Sequence, residues 1–166
     1  MDAVKARVLG HLYFDGCVSV DRRGNHRINY SNASIKSIKN FAKLVELRFH
    51  LKQQKIRYFE GEKGNYCQIE FGSKKLVKNL IRRYGNFSTS KLVTMPSGII
   101  GNKAASIQFL KAFWDDEGCI TTDRLRIHGA LMSETMIDGL IFIHRKLGIQ
   151  CTKWCIVAST GVLRIV

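Results

Sequence analysis

Residues 8–16 read VLGHLYFDG and residues 110–118 read LKAFWDDEG. Each is an apolar run of helical character that ends in one or more carboxylates, a glycine and then a cysteine, within a chain that is otherwise strongly basic. The likeness continues past the two stretches. Aligning Gly16 with Gly118 lays DGCVSVD (15–21) on EGCITTD (117–123), Arg27–Ile28 on Arg126–Ile127, and Ser34 on Ser133. The later matches require a three-residue deletion in the second copy, where GNHR marks a hairpin tip in the first. Hairpin tips tolerate length changes best. The chain is therefore an internal duplication, and the repeated unit decides the fold.

Each unit has the same pattern. After the motif helix come two short alternating runs, CVSVDRR and HRINYSN, joined by Gly24–Asn25, which is hairpin chemistry. SIKSIKNFAKLVELRFHL follows, with Ile35, Ile38, Phe41, Ala42, Val45 and Phe49 at helical spacing and Ser34 able to cap it. Two further strand-like runs, KIRYF and NYCQIEF, lead to a basic helix over about 74–84. The second copy gives CITTD, LRIHGAL, a helix over SETMIDGLIFIHRKLG, then TKWCIV and GVLRIV, with no match for that basic helix. The expected organisation is a first unit over 1–85, a linker over 86–106 that holds the single proline, and a shorter second unit over 107–166. The expected fold is α+β, a pseudo-twofold duplication of α-β-β-α-β-β units with two antiparallel sheets backed by helices. The motif helices form its natural interface. Gly10 and Ala112 hold equivalent places there, where small side chains let two backbones approach.

Composition narrows the function. The 166 residues are 45% hydrophobic, enough to bury an ordinary core or two small fused ones. No apolar stretch reaches the roughly 20 residues that span a bilayer. The first residues, MDAVKARVLG, lack the features of a signal peptide, so an intracellular location is expected, in a prokaryotic cytoplasm or an organelle. Five cysteines without paired metal-ligand spacing read as reduced, mostly buried thiols. Lys and Arg number 27 against 13 Asp and Glu, a net charge of +14. Such a surface attracts polyanions, of which nucleic acid is the commonest intracellular example.

Against that charge, the placement of Asp15 and Glu117 needs a cause. If the motif helices pack side by side, both acids meet at the helix C-termini, where they repel one another and oppose the helix dipoles. A lone acid at such a place is ordinarily a solvated helix end. Two in register point to a bound cation. Hard oxygen ligands suit Mg²⁺, phosphates would complete its coordination, and metal-assisted hydrolysis of a phosphodiester is the chemistry this permits.

On these residues the chain resembles the LAGLIDADG homing endonucleases, in their monomeric two-motif branch. VLGHLYFDG and LKAFWDDEG stand where the two motif copies would, and the units after them match the family's core topology. The resemblance implies saddle-shaped sheets over the DNA major groove, Mg²⁺ bound by the motif acids, and cleavage of both strands with a short 3′ overhang. It also implies that Mn²⁺ replaces Mg²⁺ and that Ca²⁺ is a non-catalytic substitute. Carried over by position, Asp15 and Glu117 are the metal ligands, joined by the backbone carbonyls of Phe14 and Asp116. A polar or basic group at the end of the second strand and a lysine after the last helix would surround the catalytic water. The matching positions are Asn32–Ala33 and Leu131–Met132, without a basic group, and Lys91. The implied partner is double-stranded DNA, bound by a monomer with no obligate protein partner and no membrane.

Strand parity gives the expected reading face. Val18, Val20, Ile28 and Tyr30 share the face toward the helices, which leaves Ser19, Asp21, Arg23, Arg27, Asn29 and Ser31 on the other. Arg can pair with guanine and Asn with adenine in the major groove. In the second copy the same parity exposes Thr121, Asp123, Arg126 and His128. The second hairpins add Arg57, Tyr66, Gln68, Lys153 and Arg164. The leading functional reading is a site-specific double-strand DNA endonuclease. The alternative is a cleavage-deficient nucleic-acid-binding module of the same fold, such as an intron maturase or a DNA-binding regulator.

Overall fold

The structure is a computed structural model that describes residues 1–52, 55–60, 64–85, 87, 93–122, 126–155 and 163–165. The first unit runs α1 (Ala3–Phe14), β1 (Gly16–Val20), β2 (His26–Asn32), α2 (Ile35–Phe49), β3 (Arg57–Phe59), β4 (Tyr66–Gly72) and α3 (Lys74–Tyr84). The second runs α4 (Lys103–Asp116), β5 (Gly118–Thr121), β6 (Arg126–Leu131), α5 (Glu134–Lys146), β7 (Lys153–Cys155) and β8 (Leu163–Ile165). Helix α4 begins inside the stretch read from sequence as a linker, because Asn102 accepts a hydrogen bond from Ala105 N at 3.0 Å and so caps it. Every helix starts on such a polar cap: Asp2, Ser34, Ser73, Asn102 and Ser133. Each satisfies one of the backbone donors that a helix N-terminus leaves free.

The two sheets have the same antiparallel order, β1-β2-β4-β3 and β5-β6-β8-β7. The hairpin at Gly24 takes φ +80, which glycine adopts without strain. Asp21 organises the turn by accepting from Arg23 N, Asn25 N and Asn25 Nδ2. Helices α1 and α4 pack side by side at the centre of the molecule. A Cβ built on Gly10 would lie 2.5 Å from Ala112 Cβ, so the glycine is what permits this approach. Phe109, Phe113, Leu9 and Ala112 are buried along that seam, with Ile38, Phe41, Ala42 and Val45 of α2 behind it.

The units are not equally covered. Helix α3 lies over β1 and β2, and Val18 and Ile28 beneath it are 3% and 1% exposed. Among the described residues the second unit has no such helix, and the equivalent Ile120 and Ile127 are 70% and 56% exposed. Val20 is also exposed, against the parity expectation, because it stands at the hairpin end beyond the helix layer. The cysteines depart from expectation too. Of the four cysteines whose burial is described, Cys67 is buried and Cys151 half-buried; Cys17 and Cys119 are exposed, since they pair with Asn29 and His128 on the face that carries no helices.

Candidate active site and nucleic-acid interface

Asp15 and Glu117 are the C-caps of α1 and α4. Their backbone N–H groups close the last helical turns, donating to His11 O at 3.1 Å and Phe113 O at 2.8 Å. The side-by-side packing of the two helices brings both carboxylates to one end of the seam. Burial raises the Asp15 carboxyl to about 6, with the Asp116 charge adding to it and the Asn32 hydrogen bond opposing it. Burial raises Glu117 further, to about 8, and Asp15 and Asp116 add their repulsion. Among the described residues neither acid has an ion-pair partner, and the Glu117 carboxylate has no hydrogen-bond partner. Two half-buried carboxylates, each driven toward its neutral form, lack positive charge between them.

These donors suit a hard divalent cation. Phe14 and Asp116 end their helices, where the last carbonyls have no intrahelical partner. Two carboxylates and two carbonyls form an oxygen set of the kind Mg²⁺ accepts, with positions left for phosphate and water. No group of three or more His, Cys, Asp or Glu side chains among the described residues competes as a metal site.

The Asp116 side chain does something else. It is fully buried and lies between the halves, accepting from Tyr30 Oη at 2.6 Å and meeting His11 Nδ1 at 2.8 Å. Arg7 Nε donates to His11 Nε2 at 3.0 Å, and Arg7 also pairs with Asp115. Asp115 and the Asp116 carboxylate are thus committed to contacts within the fold. Sequence alone gave no sign of this network.

Asn32 ends β2 and donates from Nδ2 to Asp15 Oδ2 at 3.1 Å. Its own carbonyl accepts from Ser34 N at 2.9 Å, which fixes its orientation. The equivalent residue in the second unit is Leu131, which has nothing to offer Glu117. Lys91 and Asp123 lie outside the described residues.

The open faces of the sheets carry most of the residues expected there. Cross-strand register sets Ser19 against Arg27, Ser31 against Gln68, and Gln68 against Arg57. Gln68 Nε2 donates to Ser31 Oγ at 3.1 Å. Arg27 reaches Asp21 at 3.1 Å and Glu70 at 3.2 Å. Tyr66 stacks on Phe59 with ring centroids 4.9 Å apart. Asn29 Oδ1 is buried without a partner. In the second unit Thr121 opposes Arg126, and Thr121 Oγ1 lies 3.2 Å from His128 Nδ1. Glu70, Cys17 and Cys119 belong to these faces as well; the alternation along NYCQIEF and GCVSV carried that signal.

Three expectations change. Arg23 sits in the β1–β2 turn, not on a strand, because Asp21 and Asn25 close the hairpin before it. Asp21 itself is folded onto that turn and onto Arg27, so its carboxylate is already engaged. Lys153 is turned to the helix layer: Nζ meets Glu134 at 2.6 Å and Asp138 at 2.9 Å, and two carboxylates on α5 outcompete an exposed position on the reading face. Arg164 is described only by its strand position, paired with Ala130 and Trp154.

No protein-family model and no curated protein sequence matches the chain. Solved structures do. Mesophilic variants of the homing endonuclease I-DmoI are similar at 20% identity and a TM-score of 0.69, covering 98% of this chain and 87% of theirs. I-DmoI in complex with DNA and Mn is similar at 18% identity and a TM-score of 0.68, over 98% and 88%. The N-terminal LAGLIDADG domain of DUF199/WhiA is similar at 14% identity and a TM-score of 0.66, over 98% and 73%. The chain has the LAGLIDADG homing-endonuclease fold. Among its described residues no helix is long and apolar enough to cross a membrane.

Proposed function

We propose that this chain is a monomeric, metal-dependent DNA endonuclease that lays the open faces of its two sheets along the major groove of a long asymmetric duplex. One observation carries the reading: Asp15 and Glu117, from separate halves, are both held toward neutrality by burial and by neighbouring carboxylate charge, with no ion-pair partner for either among the described residues. A nuclease that recruits its cation together with the scissile phosphate would have this electrostatic form. Bound there, Mg²⁺ or Mn²⁺ would polarise the phosphodiester and lower the pKa of an attacking water. Asp15, Glu117 and the carbonyls of Phe14 and Asp116 would hold it. Asn32 keeps the Asp15 carboxylate in one orientation. Arg27, Asn29, Ser31, Arg57 and Gln68 would read one half-site, and Thr121, Arg126 and His128 the other. The orphan Asn29 Oδ1 favours this, since a buried acceptor without a partner suits a donor on a base edge.

The second reading, a nucleic-acid-binding module that does not cut, is favoured by the asymmetry around the acids. Leu131 stands where Asn32 does in the first unit. One experiment separates the two. The protein is incubated with a randomised duplex library and Mn²⁺ or Mg²⁺, and new ends are sequenced. Recurrent ends at one motif, absent with the Asp15→Asn/Glu117→Gln double variant, support the nuclease. Enrichment of a bound motif without ends supports the binding module.

A further inference from the structure

Helix α3 carries a charge pattern that its own stability does not explain. Its sequence is KKLVKNLIRRY, and Lys74, Lys75, Lys78, Arg82 and Arg83 are all exposed with no acid on the helix. Lys74, Lys78 and Arg82 recur at i, i+4 and i+8, so like charges are neighbours along one row, which is destabilising. Lys74 and Lys75 also occupy the first turn, the positive end of the helix dipole. Val77 and Leu80, the buried residues of α3, face the sheet. The charged rows are therefore on the back of the first unit, with the sheet between them and the reading face.

Next to this helix lies a cleft of about 370 Å³. Its rim carries Lys5 of α1, Arg48 of α2, and Lys75 and Arg83 of α3, while Phe49 and Leu76 contribute apolar surface. Of the four cations, only Arg48 has an ion pair among the described residues, with Asp2 at 2.9 Å. Lys5 and Arg83 stand over the Tyr84 ring, 5.1 and 5.8 Å from its centroid. Cations from three helices thus converge on a recess whose lining is partly apolar and aromatic. That pairing, a basic rim with stacking surface, is the chemistry by which proteins take single-stranded nucleic acid.

We infer that the cleft between α1, α2 and α3 is a second nucleic-acid site, taking a single strand: phosphates on Lys5, Lys75 and Arg83, and a base over the apolar surface. It is separate from the duplex-reading face and does not depend on cleavage. A duplex would fit poorly, since its bases are stacked away from such a recess.

The test is fluorescence anisotropy with labelled oligouridylate and oligothymidylate of roughly twelve nucleotides, within the lengths single-strand binders cover. A random-sequence duplex serves as competitor. The Lys75→Glu/Arg83→Glu variant is expected to weaken single-strand binding at least about tenfold while leaving duplex binding unchanged. Its salt slope should fall by about 0.7 for each cation lost. Arg57→Ala/Gln68→Ala should do the reverse. Lys78→Glu/Arg82→Glu, with the same charge change on α3 outside the cleft, should cost the single strand distinctly less. Equal loss from the two α3 variants, or displacement of the single strand by duplex at stoichiometric ratio, would overturn the site. All four α3 positions are exposed, and circular dichroism confirms folding; Lys75→Ala/Arg83→Ala must reproduce the direction of the effect. Duplex binding is a separate arm, so failure here leaves the endonuclease reading untouched.

Discussion

His11 and Asp116, 105 residues apart in sequence, meet at 2.8 Å with their side chains almost wholly excluded from solvent. The pseudo-twofold relation makes this contact informative. His11 is the counterpart of Phe113, and Asp116 of Phe14, and Phe14 sits edge-on to Phe113 with centroids 5.3 Å apart. One pair of equivalent positions is thus filled by aromatics and the other by a hydrogen-bonded chain. Tyr30, which completes that chain, is matched by Gly129, whose missing side chain makes room for Phe113. Two helices in equivalent positions are given different faces, and only one mutual register satisfies both.

The chain has a fixed polarity: Arg7 Nε donates to His11 Nε2, so His11 Nδ1 carries the proton and donates to Asp116. Asp116→Asn keeps the shape but can set an amide donor against that proton. It should destabilise the protein by about 1–3 kcal/mol despite being isosteric. Adding Arg7→Leu frees the histidine to change tautomer and should recover part of the loss. Urea melts of the single and double variants read this directly; additive losses would show that the polarity is unimportant.

Glu117 and Asp15 give a pH signature. Their folded pKa values, about 8 and about 6, lie above the ordinary carboxylate range, so the folded state holds protons that the unfolded chain has released. Stability without metal should fall as pH rises from about 4.5 to about 8. Glu117→Gln removes most of that slope and should melt higher than the parent at pH 8, with the gap closing near pH 4.5. Mg²⁺ or Ca²⁺ should raise the melting temperature of the parent at pH 8 and leave Asp15→Asn/Glu117→Gln unmoved. A flat pH profile in the parent would contradict the burial of these acids.

Cutting and binding should separate. Asp15→Asn or Glu117→Gln should abolish cleavage of at least one strand while DNA affinity stays within a few-fold, because phosphate contacts elsewhere supply the binding. Asn32→Leu, which makes the first unit resemble the second, should slow cleavage without changing affinity. Strand-resolved nicking assays measure both.

At the helix seam, Gly10→Leu should cost about 1–3 kcal/mol or more by overpacking. The added Cβ alone would lie 2.5 Å from Ala112 Cβ. Ala112→Gly should rescue Gly10→Ala in part. An unchanged melting temperature for Gly10→Leu would show that α1 and α4 can separate without loss.

Arg27 and Arg126 occupy matching strand positions but differ in restraint. Arg27 is held by Asp21 and Glu70, whereas Arg126 is exposed and has no ion pair among the described residues. Each should govern a different half of the target, with Arg27→Ala or Arg126→Ala relaxing preference at one position by about 1–3 kcal/mol. Glu70→Gln should alter the first half alone. A library of single-base target variants decides this; a uniform loss with an unchanged profile would reassign the arginine to the phosphate backbone.

What the sequence determined by itself is everything that repeats at short period or in register. The duplication of VLGHLYFDG in LKAFWDDEG placed both acids at helix ends, and the Gly10–Ala112 contact followed from their equivalence. Alternation along HRINYSN and NYCQIEF put Arg27, Asn29, Ser31 and Gln68 on one face, since side-chain direction in a strand is a local property. The tertiary structure decided what depends on neighbours from elsewhere in the chain. Asp116 and Asp115 are adjacent acids in one motif, yet one is buried against His11 and Tyr30 and the other pairs with Arg7, because the two point to different sides of a helix seam. Lys153 left the reading face for Glu134 and Asp138, and Ile120 and Ile127 are exposed where Val18 and Ile28 have α3 above them. Periodicity fixes which way a side chain points relative to its own strand or helix. Its partner there, and so its charge state and its use, is set by the packing of elements far apart in sequence.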